Sequence, residues 1–300
     1  LGTGHAVQQA MPNTPDGNQV LVLFGDVPLL TAQTVQRLLE ATPADELAVL
    51  TVDLDDPTGY GRIVRKGDNV VGIVEQKDAS AEQQAINEIN TGVMVCPADK
   101  LRRWLDDLDN DNAKGEYYLT DVIAMAVPEG RNLHGINADT WAVVMGINDK
   151  KQLAEAERAL QARLVDDLMA KGVGFADPAR VDIRGTLECG KDVYIDVNTV
   201  FEGDVTLGDG VRIESNNVIR DSSIGAGTVL HPNCHLEGAT TGEQCEIGPF
   251  ARMRPGAALA NRVKLGNFVE VKKSPIADGS KVNHLTYIGD TEIGTGVNVG

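Results

Sequence analysis

The second half of the chain carries an apolar residue at nearly every sixth position. A helix repeats its apolar face every 3.6 residues and a half-buried strand every second residue, so neither explains a period of six. This period predicts a β-helix of hexapeptide repeats, in which each repeat forms one short side of a prism and points its apolar residue inward. The apolar positions are Phe201, Leu207, Ile213, Ile219, Ile224, Leu230, Leu236, Ile247, Met253, Leu259, Leu265, Val271, Ile276, Val282, Ile288, Ile293 and Val299.

Small residues after the apolar positions support this interpretation. Glycine directly follows Leu207, Ile224 and Ile247, where it lets the backbone turn a corner without a side-chain clash. Three sides predict a coil of roughly 18 residues, and stacked coils bury one apolar column. Three steps are shortened to five residues, and the step from Leu236 to Ile247 is eleven. A β-sandwich with Gly-rich turns is the alternative, but its strands would be irregularly spaced.

Charge and hydropathy narrow the class of protein. A length of 300 residues predicts about two domains. The net charge of -17 argues against a nucleic-acid partner, because phosphates would be repelled. Residues 251–285 are the exception, with a net charge of +5. They form either a candidate anion site or a set of solvated corner residues.

Targeting and redox features predict a cytoplasmic protein. No apolar stretch approaches the roughly 20 residues that cross a membrane, so no membrane partner is expected. The cysteines have no metal-ligand spacing and lie in or near apolar runs, which predicts reduced core thiols. They are Cys96, Cys189, Cys234 and Cys245.

The first half alternates predicted strands and helices. Its strands are expected at 19–24, 47–54, 61–64, 70–75, 91–96 and 141–145, and its helices at 31–41, 79–88, 98–105, 118–126 and 150–171. Asp26 follows the first strand, where α/β sheets bind ligands. The last helix ends at Gly172 and is expected to connect the two domains. Its predicted apolar face comprises Leu153, Ala156, Leu160, Leu164 and Leu168.

Seven short motifs occur in a fixed order before the repeats. Together with the repeats they resemble the bacterial family of bifunctional N-acetylglucosamine-1-phosphate uridyltransferases / glucosamine-1-phosphate acetyltransferases, over the whole chain. Each motif alone is weak, and the ordered set is specific. The motifs are Leu1-Gly2-Thr3, Phe24-Gly25-Asp26, Asp56-Pro57-Thr58-Gly59-Tyr60-Gly61-Arg62, Ile73-Val74-Glu75, Glu88-Ile89-Asn90-Thr91-Gly92, Gly115-Glu116-Tyr117-Tyr118-Leu119-Thr120-Asp121 and Gly146-Ile147-Asn148.

The resemblance implies a fold, an assembly and two reactions. It implies an α/β Rossmann-like nucleotidyltransferase domain at 1–148, a linker helix at 149–172 and a left-handed parallel β-helix at 173–300. The β-helix is expected to form a homotrimer. The implied reactions are acetyl transfer from acetyl-CoA to glucosamine-1-phosphate, then uridylyl transfer from UTP to N-acetylglucosamine-1-phosphate with release of pyrophosphate.

The uridyltransferase site is implied by the residues that match the family's motifs. Asp26 and Asn148 would hold Mg2+, which prefers hard oxygen ligands. The substrate phosphate is already an anion, so positioning and metal chemistry are expected to dominate over general base catalysis. The implied substrate-binding set is Gly2, Thr3, Phe24, Gly25, Asp26, Gly61, Glu75, Asn90 and Asn148.

The acetyltransferase site is implied within the basic part of the β-helix. An amine must lose a proton when it attacks a thioester, and a histidine suits that task near neutral pH. The resemblance makes His284 the base, whereas His5, His134, His231 and His235 lack a surrounding motif. The implied sugar-phosphate ligands are Arg254, Lys272, Tyr287 and Asn298.

Two alternatives stay open, and both termini look cut. One alternative is a sugar-1-phosphate nucleotidyltransferase with a non-catalytic, oligomerising β-helix, and the other is a scaffold without chemistry. The chain opens inside a motif, so we expect a fragment lacking both ends. Because the family's phosphate loop precedes Leu1 and its coenzyme A site extends beyond Gly300, the resemblance implies impaired activity for the fragment.

Overall fold

The structure is a computed structural model that describes residues 1–67, 69–112, 115–130 and 132–300. It divides into two compact units, Leu1–Ala156 and Glu157–Gly300. The boundary lies inside one helix, Lys150–Ala170. Each unit therefore has its own core and is described by itself.

The first unit alternates helices with six strands. Its strands are β1 (Gln19–Val22), β2 (Leu47–Asp53), β3 (Arg62–Lys66), β4 (Asn69–Val74), β5 (Glu88–Pro97) and β6 (Leu133–Asn137). The helices are α1 (Thr3–Ala10), α2 (Ala32–Glu40), α3 (Ala81–Gln84), α4 (Ala98–Asp106), α5 (Asp121–Ala126), α6 (Trp141–Val144) and α7 (Lys150–Ala170), the last crossing into the second unit.

One mixed sheet organises the first unit in the order β1-β5-β2-β6-β4-β3. The β2–β6 pair is parallel and the other neighbours are antiparallel. Successive residues of β2 are buried on opposite sides: Leu47 faces a core shared with α4 and α5, and Ala48 faces one shared with α2 and α6. This alternation produces a three-layer α/β/α arrangement.

The predicted strand at 141–145 is wrong, because this segment forms α6. A short apolar run cannot distinguish strand from helix by periodicity. Here helical spacing turns both Trp141 and Val144 toward the core shared with α2. The Trp141 ring meets Tyr60 edge-on at a centroid distance of 5.4 Å. The strand beside β2 is instead β6, which was not among the strands predicted from the sequence.

Two predicted helices are shorter than expected. The helix at 79–88 is reduced to α3, which begins at a Ser80–Gln83 capping box and gives way to β5 at Glu88. The helix at 118–126 begins only at Asp121. The turn before it is stabilised by α1 instead, since the amide of Leu119 donates to Thr3 Oγ1 at 3.2 Å.

Helix α7 confirms the prediction for 150–171 and most of its predicted apolar face, since Ala156 and Leu168 are buried and Leu160 and Leu164 are half-buried. Leu153 is 55% exposed, whereas Val165 is fully buried. Gln161 is also buried and makes two hydrogen bonds with the backbone of Ile183, at 2.7 and 2.9 Å. None of the helices in the described ranges combines the length and apolarity needed to cross a bilayer.

The second unit is a parallel β-helix with three faces. The first face stacks β7 (Gly174–Phe175), β9 (Tyr194–Ile195), β11 (Arg212–Ile213), β14 (Val229–Leu230), β17 (Glu246–Ile247), β20 (Lys264–Asn267), β23 (Lys281–His284) and β25 (Asn298–Val299). The second face stacks β12 (Val218–Arg220), β15 (His235–Glu237), β18 (Arg252–Met253), β21 (Glu270–Lys272) and β24 (Tyr287–Gly289). The third stacks β13 (Ser223–Ile224), β16 (Thr240–Thr241), β19 (Ala258–Leu259) and β22 (Pro275–Ile276), while β8 (Val181–Cys189) and β10 (Thr199–Leu207) run across the second and third faces.

The predicted inward positions are confirmed by their burial. Every one from Phe201 to Ile293 is at most 9% exposed, and Val299 is partly buried. Register pairs such as Ile213 with Leu230, or Ile247 with Leu265, lie 17 or 18 residues apart. The predicted coil of roughly 18 residues is therefore correct. In the step of eleven the missing inward position is occupied by a threonine, Thr241, which pairs with Leu259 and is 9% exposed.

From Asn198 to Leu285, the corner between the first and second faces has a left-handed backbone in six successive coils. Early coils use asparagine, which tolerates positive φ, and later coils use bulky apolar residues. The Phe250 and Phe268 rings stack at 5.1 Å and remain half-exposed. The corner residues are Asn198, Asn216, Asn233, Phe250, Phe268 and Leu285, with φ between 47° and 62°.

Close approach between coils requires glycine at one place in β10. Gly203 has a φ of 66°, and a Cβ added there would lie 1.9 Å from Asp221 Oδ1. The same carboxylate oxygen accepts a hydrogen bond from the amide of Asp204 at 3.1 Å. The side chain of one coil thus occupies the space that a side chain of the previous coil would need.

A ladder of alternating charge runs along the outside of the second face. Arg184, Glu202, Arg220 and Glu237 stand in register on successive coils. Arg184 Nη1 lies 3.3 Å from Glu202 Oε1, Arg220 also bonds Glu202, and Arg220 Nη1 lies 3.8 Å from Glu237 Oε1. Each cation here has a carboxylate neighbour on the adjacent coil.

Candidate active sites

The N-terminal motif of the first unit is bound to the segment before α5. The carbonyl of Leu1 accepts from the amide of Tyr117 at 2.9 Å, and the amide of Gly4 donates to Tyr117 O at 2.9 Å. Gly2 has a φ of 95°, and a Cβ there would meet Tyr117 O at 2.5 Å. Gly2 and Thr3 therefore lie against residues 116–119, and a side chain at position 2 would not fit there.

A second group surrounds Glu75 at the end of β4. The Thr120 hydroxyl donates to Glu75 Oε1 at 3.4 Å. On the other side, a Cβ at Gly61 would lie 3.4 Å from the same oxygen. The carbonyl of Gly61 accepts from the amide of Asn90 at 2.9 Å, so Gly61, Glu75 and Asn90 form one group.

Buried Arg62 fixes this group from behind. The residue is 1% exposed, and its guanidinium donates to the carbonyl of Tyr60 and, at 2.5 Å, to Gln76 Oε1. Gln76 Oε1 also accepts from the amide of Gly59 at 3.3 Å. The loop before β3 and the end of β4 are thus tied together. Arg62 belongs to a family motif, but no separate signal in the sequence indicated that it is buried.

The third group joins Asn90 to the nucleotide motif. Asn90 Oδ1 accepts from the amide of Gly92 at 3.0 Å. Gly92 has a φ of 85°, and a Cβ there would clash with the Phe24 ring at 2.4 Å. Gly25 and Asp26 follow Phe24 in the sequence. The carbonyl of Asp26 accepts a hydrogen bond from the amide of Ile147 at 2.9 Å. The chain of contacts therefore continues to the last motif.

Asp26 and Asn148 line one shallow pocket with Gly146. Asp26 Oδ2 lies 3.7 Å from the Cβ position of Gly146, and both Asp26 and Asn148 are exposed. Within the described residues, no cluster of three or more His, Cys, Asp or Glu side chains could hold a metal. A carboxylate with an amide fits Mg2+, which usually takes few protein ligands and completes its shell with water and phosphate oxygens.

Acidic side chains also collect near Glu75. Burial, followed by the charges of Asp109 and Glu75, raises the pKa of Asp121 at the start of α5. The carboxylate of Asp121 is therefore harder to ionise than an isolated one. The charged neighbours that shift the pKa of Asp121 thus include Glu75 and not Asp26.

In the second unit, three predicted ligands lie side by side on the second face. The amide of Arg254 donates to Val271 O at 2.8 Å, which places Arg254 beside Lys272 on the next coil. Lys272 is in register with Gly289, and the Tyr287 ring folds over Gly289. A Cβ added at Gly289 would lie 2.3 Å from Tyr287 Oη. Arg254, Lys272 and Tyr287 therefore share one face.

These two cations continue the charge ladder but break its alternation. After Glu237 the next positions along the ladder are Arg254 and Lys272, two cations in succession. Arg254 Nη1 bonds Glu270 Oε1 at 3.0 Å, and Lys272 Nζ lies 3.6 Å from Asp290 Oδ2. Both cations stay partly exposed beside their carboxylate partners, so an external anion can also reach them.

The other two predicted residues lie on the first face. His284 is exposed at the end of β23, next to the corner residue Leu285. The Thr286 hydroxyl donates to His284 O at 2.7 Å and stabilises this turn. Asn298 is in register with Lys281. The structure thus groups Arg254, Lys272 and Tyr287 but not Asn298 with them.

The fold and these groupings define an α/β unit followed by a hexapeptide β-helix with a basic, histidine-bearing corner. Known proteins are similar in sequence along the whole chain. The chain is 55% identical over 300 residues to "Bifunctional protein GlmU" of Herminiimonas arsenicoxydans, covering 100% of the chain and 66% of that protein. It is 55% identical over 301 residues to the protein of the same name from Azoarcus sp. (strain BH72), covering 100% of the chain and 67% of that protein.

A similar relation holds for the GlmU protein of Paraburkholderia phymatum, at 56% identity over 301 residues, 100% of the chain and 66% of that protein. No family model matches the chain. The chain belongs to the GlmU family, as the sequence resemblance predicted. It spans about two thirds of the length of these curated relatives.

Proposed function

We propose that the protein is a bifunctional enzyme that makes UDP-N-acetylglucosamine. It transfers acetyl from acetyl-CoA to the amine of glucosamine-1-phosphate, then uridylyl from UTP to N-acetylglucosamine-1-phosphate, releasing pyrophosphate. Family membership supports the proposal. The observation that carries it is the consecutive pair Arg254 and Lys272 beside Tyr287, one corner from His284.

In the proposed acetyl transfer, His284 takes a proton from the amine as nitrogen attacks the thioester carbon. The C–N bond forms, the C–S bond breaks, and the proton leaves with the coenzyme A thiolate. Arg254 and Lys272 pair with the sugar phosphate, and a backbone N–H would stabilise the oxyanion.

In the proposed uridylyl transfer, the sugar phosphate attacks the α-phosphorus of UTP. Gly2 and Thr3 would contact uracil, Phe24 and Gly25 would line the nucleotide, and Gly61, Glu75 and Asn90 would hold the sugar. Asp26 and Asn148 would hold Mg2+, which would neutralise charge on the phosphates. The chain of contacts from Gly2 to Asn148 supports a single continuous site. A Rossmann-like architecture for this unit is consistent with its three layers.

We also propose that the protein is a homotrimer of left-handed β-helices, as the family resemblance implies, and the positions of the sugar-phosphate ligands support a contribution from a second copy of the chain. Asn298 lies in the column of Lys281, four residues before the corner at Leu285, and Lys272 lies in the column of Gly289, four residues after it. Each column is about 13 Å from the corner, on faces that point apart. One sugar phosphate would therefore receive Asn298 from a second copy.

A reducing compartment is consistent with the cysteines, and we propose a cytoplasmic location. All four are free thiols, and three of them are buried. Burial raises the pKa of Cys96 to about 12, so this thiol stays protonated and unreactive.

The experiment that tests the function replaces His284 with Ala and measures release of coenzyme A with glucosamine-1-phosphate as acceptor. His235→Ala, at an exposed position on the second face, is the matched control. We expect His284→Ala to lower the rate by at least about 100-fold and His235→Ala to leave it unchanged. Equal rates for wild type and His284→Ala would refute the role of His284 and favour a β-helix that only oligomerises.

A further inference from the structure

Two lysines of the basic segment take no part in the proposed acetyl-transfer site. Lys264 and Lys281 stand in register on the first face, after Glu246 and before Asn298. They are therefore separated from Arg254 and Lys272 by the corner. All four residues of this column lie on the same outer side of their coils.

The two lysines differ in how their charge is balanced. Lys264 Nζ bonds Glu246 Oε2 at 2.8 Å. Lys281, by contrast, forms no ion pair with any carboxylate in the described parts of the chain, and Glu246 lies two coils below it. Neighbouring strands are about 4.8 Å apart, so the positive charge of Lys281 adds to that of Lys264 at close range.

Asn298 adds hydrogen-bond donors directly above Lys281. Its Oδ1 accepts from Asn283 Nδ2 at 2.8 Å. This bond occupies the amide oxygen and leaves the Nδ2 group with two hydrogens to donate. An ammonium and an amide NH2 on adjacent coils present donors and positive charge together, which suits a phosphate oxygen and not a cation.

We propose that Lys281 and Asn298 form a second phosphate-binding row, and that Lys281 is a substrate-binding residue of the acetyltransferase. The row takes a phosphate of one of the two substrates, glucosamine-1-phosphate or coenzyme A. This inference rests on the proposed function for the identity of the ligands. The row is on a different face from Arg254 and Lys272, so it is a phosphate-binding element in addition to that pair.

The test replaces Lys281 with Met and measures affinity by calorimetry for glucosamine-1-phosphate, coenzyme A and inorganic phosphate. Lys264→Met is the matched control. It removes a cation from the same column, but the charge of this cation is already neutralised by Glu246. For the ligand that the row binds, we expect Lys281→Met to weaken affinity about tenfold and Lys264→Met less than about twofold. The difference should shrink as salt is raised.

The ligand panel separates the two sources. A loss confined to glucosamine-1-phosphate assigns the row to the sugar phosphate, and a loss confined to coenzyme A assigns it to the donor. Wild-type affinity of Lys281→Met for all three ligands would overturn the proposal, as would absence of binding by the wild type. Equal losses in both variants would also overturn it, because they would report net charge alone. These readings need no turnover, so they are independent of the His284 experiment.

Discussion

The two units position their candidate site residues by different physical means. In the first unit, the contacts from Gly2 to Asn148 pass through loops, and each depends on a local detail such as the space at Gly92. In the second unit, residues 17 or 18 apart are adjacent because the coils stack. Side-chain neighbours in the β-helix thus follow from counting, whereas those in the α/β unit need the folded loops.

The largest expected effect tests the stacked column. Leu265→Ala removes a fully buried side chain between Ile247 and Val282 and should lower the free energy of unfolding by about 3 kcal/mol. Leu285→Ala, at a corner position that is 76% exposed, should change it by less than about 0.5 kcal/mol. Urea unfolding of the second unit measures both, and similar losses would mean that inward register does not determine stability.

The next effect tests a loop contact in the first unit. Gly92→Ala adds a Cβ against Phe24 and should cost about 2 kcal/mol, since the ring must move and φ is positive. Gly17→Ala has a similar φ of 80° but open space around it, and should cost about 1 kcal/mol. Thermal unfolding compares the two. A smaller loss of stability for Gly92→Ala than for Gly17→Ala would show that the Phe24 ring moves aside at little energetic cost.

A smaller effect concerns Asp121 in the acidic cluster of the first unit. Its pKa is raised on folding, so ionisation opposes the folded state once pH rises above the ordinary value of 3.8. Asp121→Asn should therefore stabilise the unit at neutral pH, and the gain should disappear at pH values below 3.8. Unfolding followed between pH 3 and 7 tests this, and a gain that persists in acid would exclude ionisation as its cause.

The smallest effect concerns the charge ladder of the second unit. Hydrogen bonding to Arg220 lowers the pKa of Glu202 in the folded state, so its stabilisation is present above 4.5 and is lost as pH falls. Glu202→Gln should lower stability slightly at neutral pH and not at all in strong acid. High salt should reduce the difference. A difference that is independent of both pH and salt would point to packing instead.

Sequence alone was most informative where structure repeats. The register from Phe201 predicted the inward positions, but it missed Thr241, because a threonine inside the column carries no apolar signal. The sequence also predicted most strands of the first unit, but a short apolar run was misassigned at Trp141–Val144, which forms a helix whose Trp141 ring packs against Tyr60. The site residues came from family motifs. Their partners, such as Thr120 with Glu75, depend on loop packing that no local pattern encodes.

The close approach of Gly203 to Asp221 has a consequence for how such a sequence can evolve. The carboxylate of Asp221 occupies the volume beside Gly203, so a larger residue at 203 becomes acceptable only after the side chain at 221 changes. Substitutions in the β-helix should therefore occur in compensating pairs at a separation of 17 or 18 positions. Gly203→Ala combined with Asp221→Gly should recover part of the stability that Gly203→Ala alone loses.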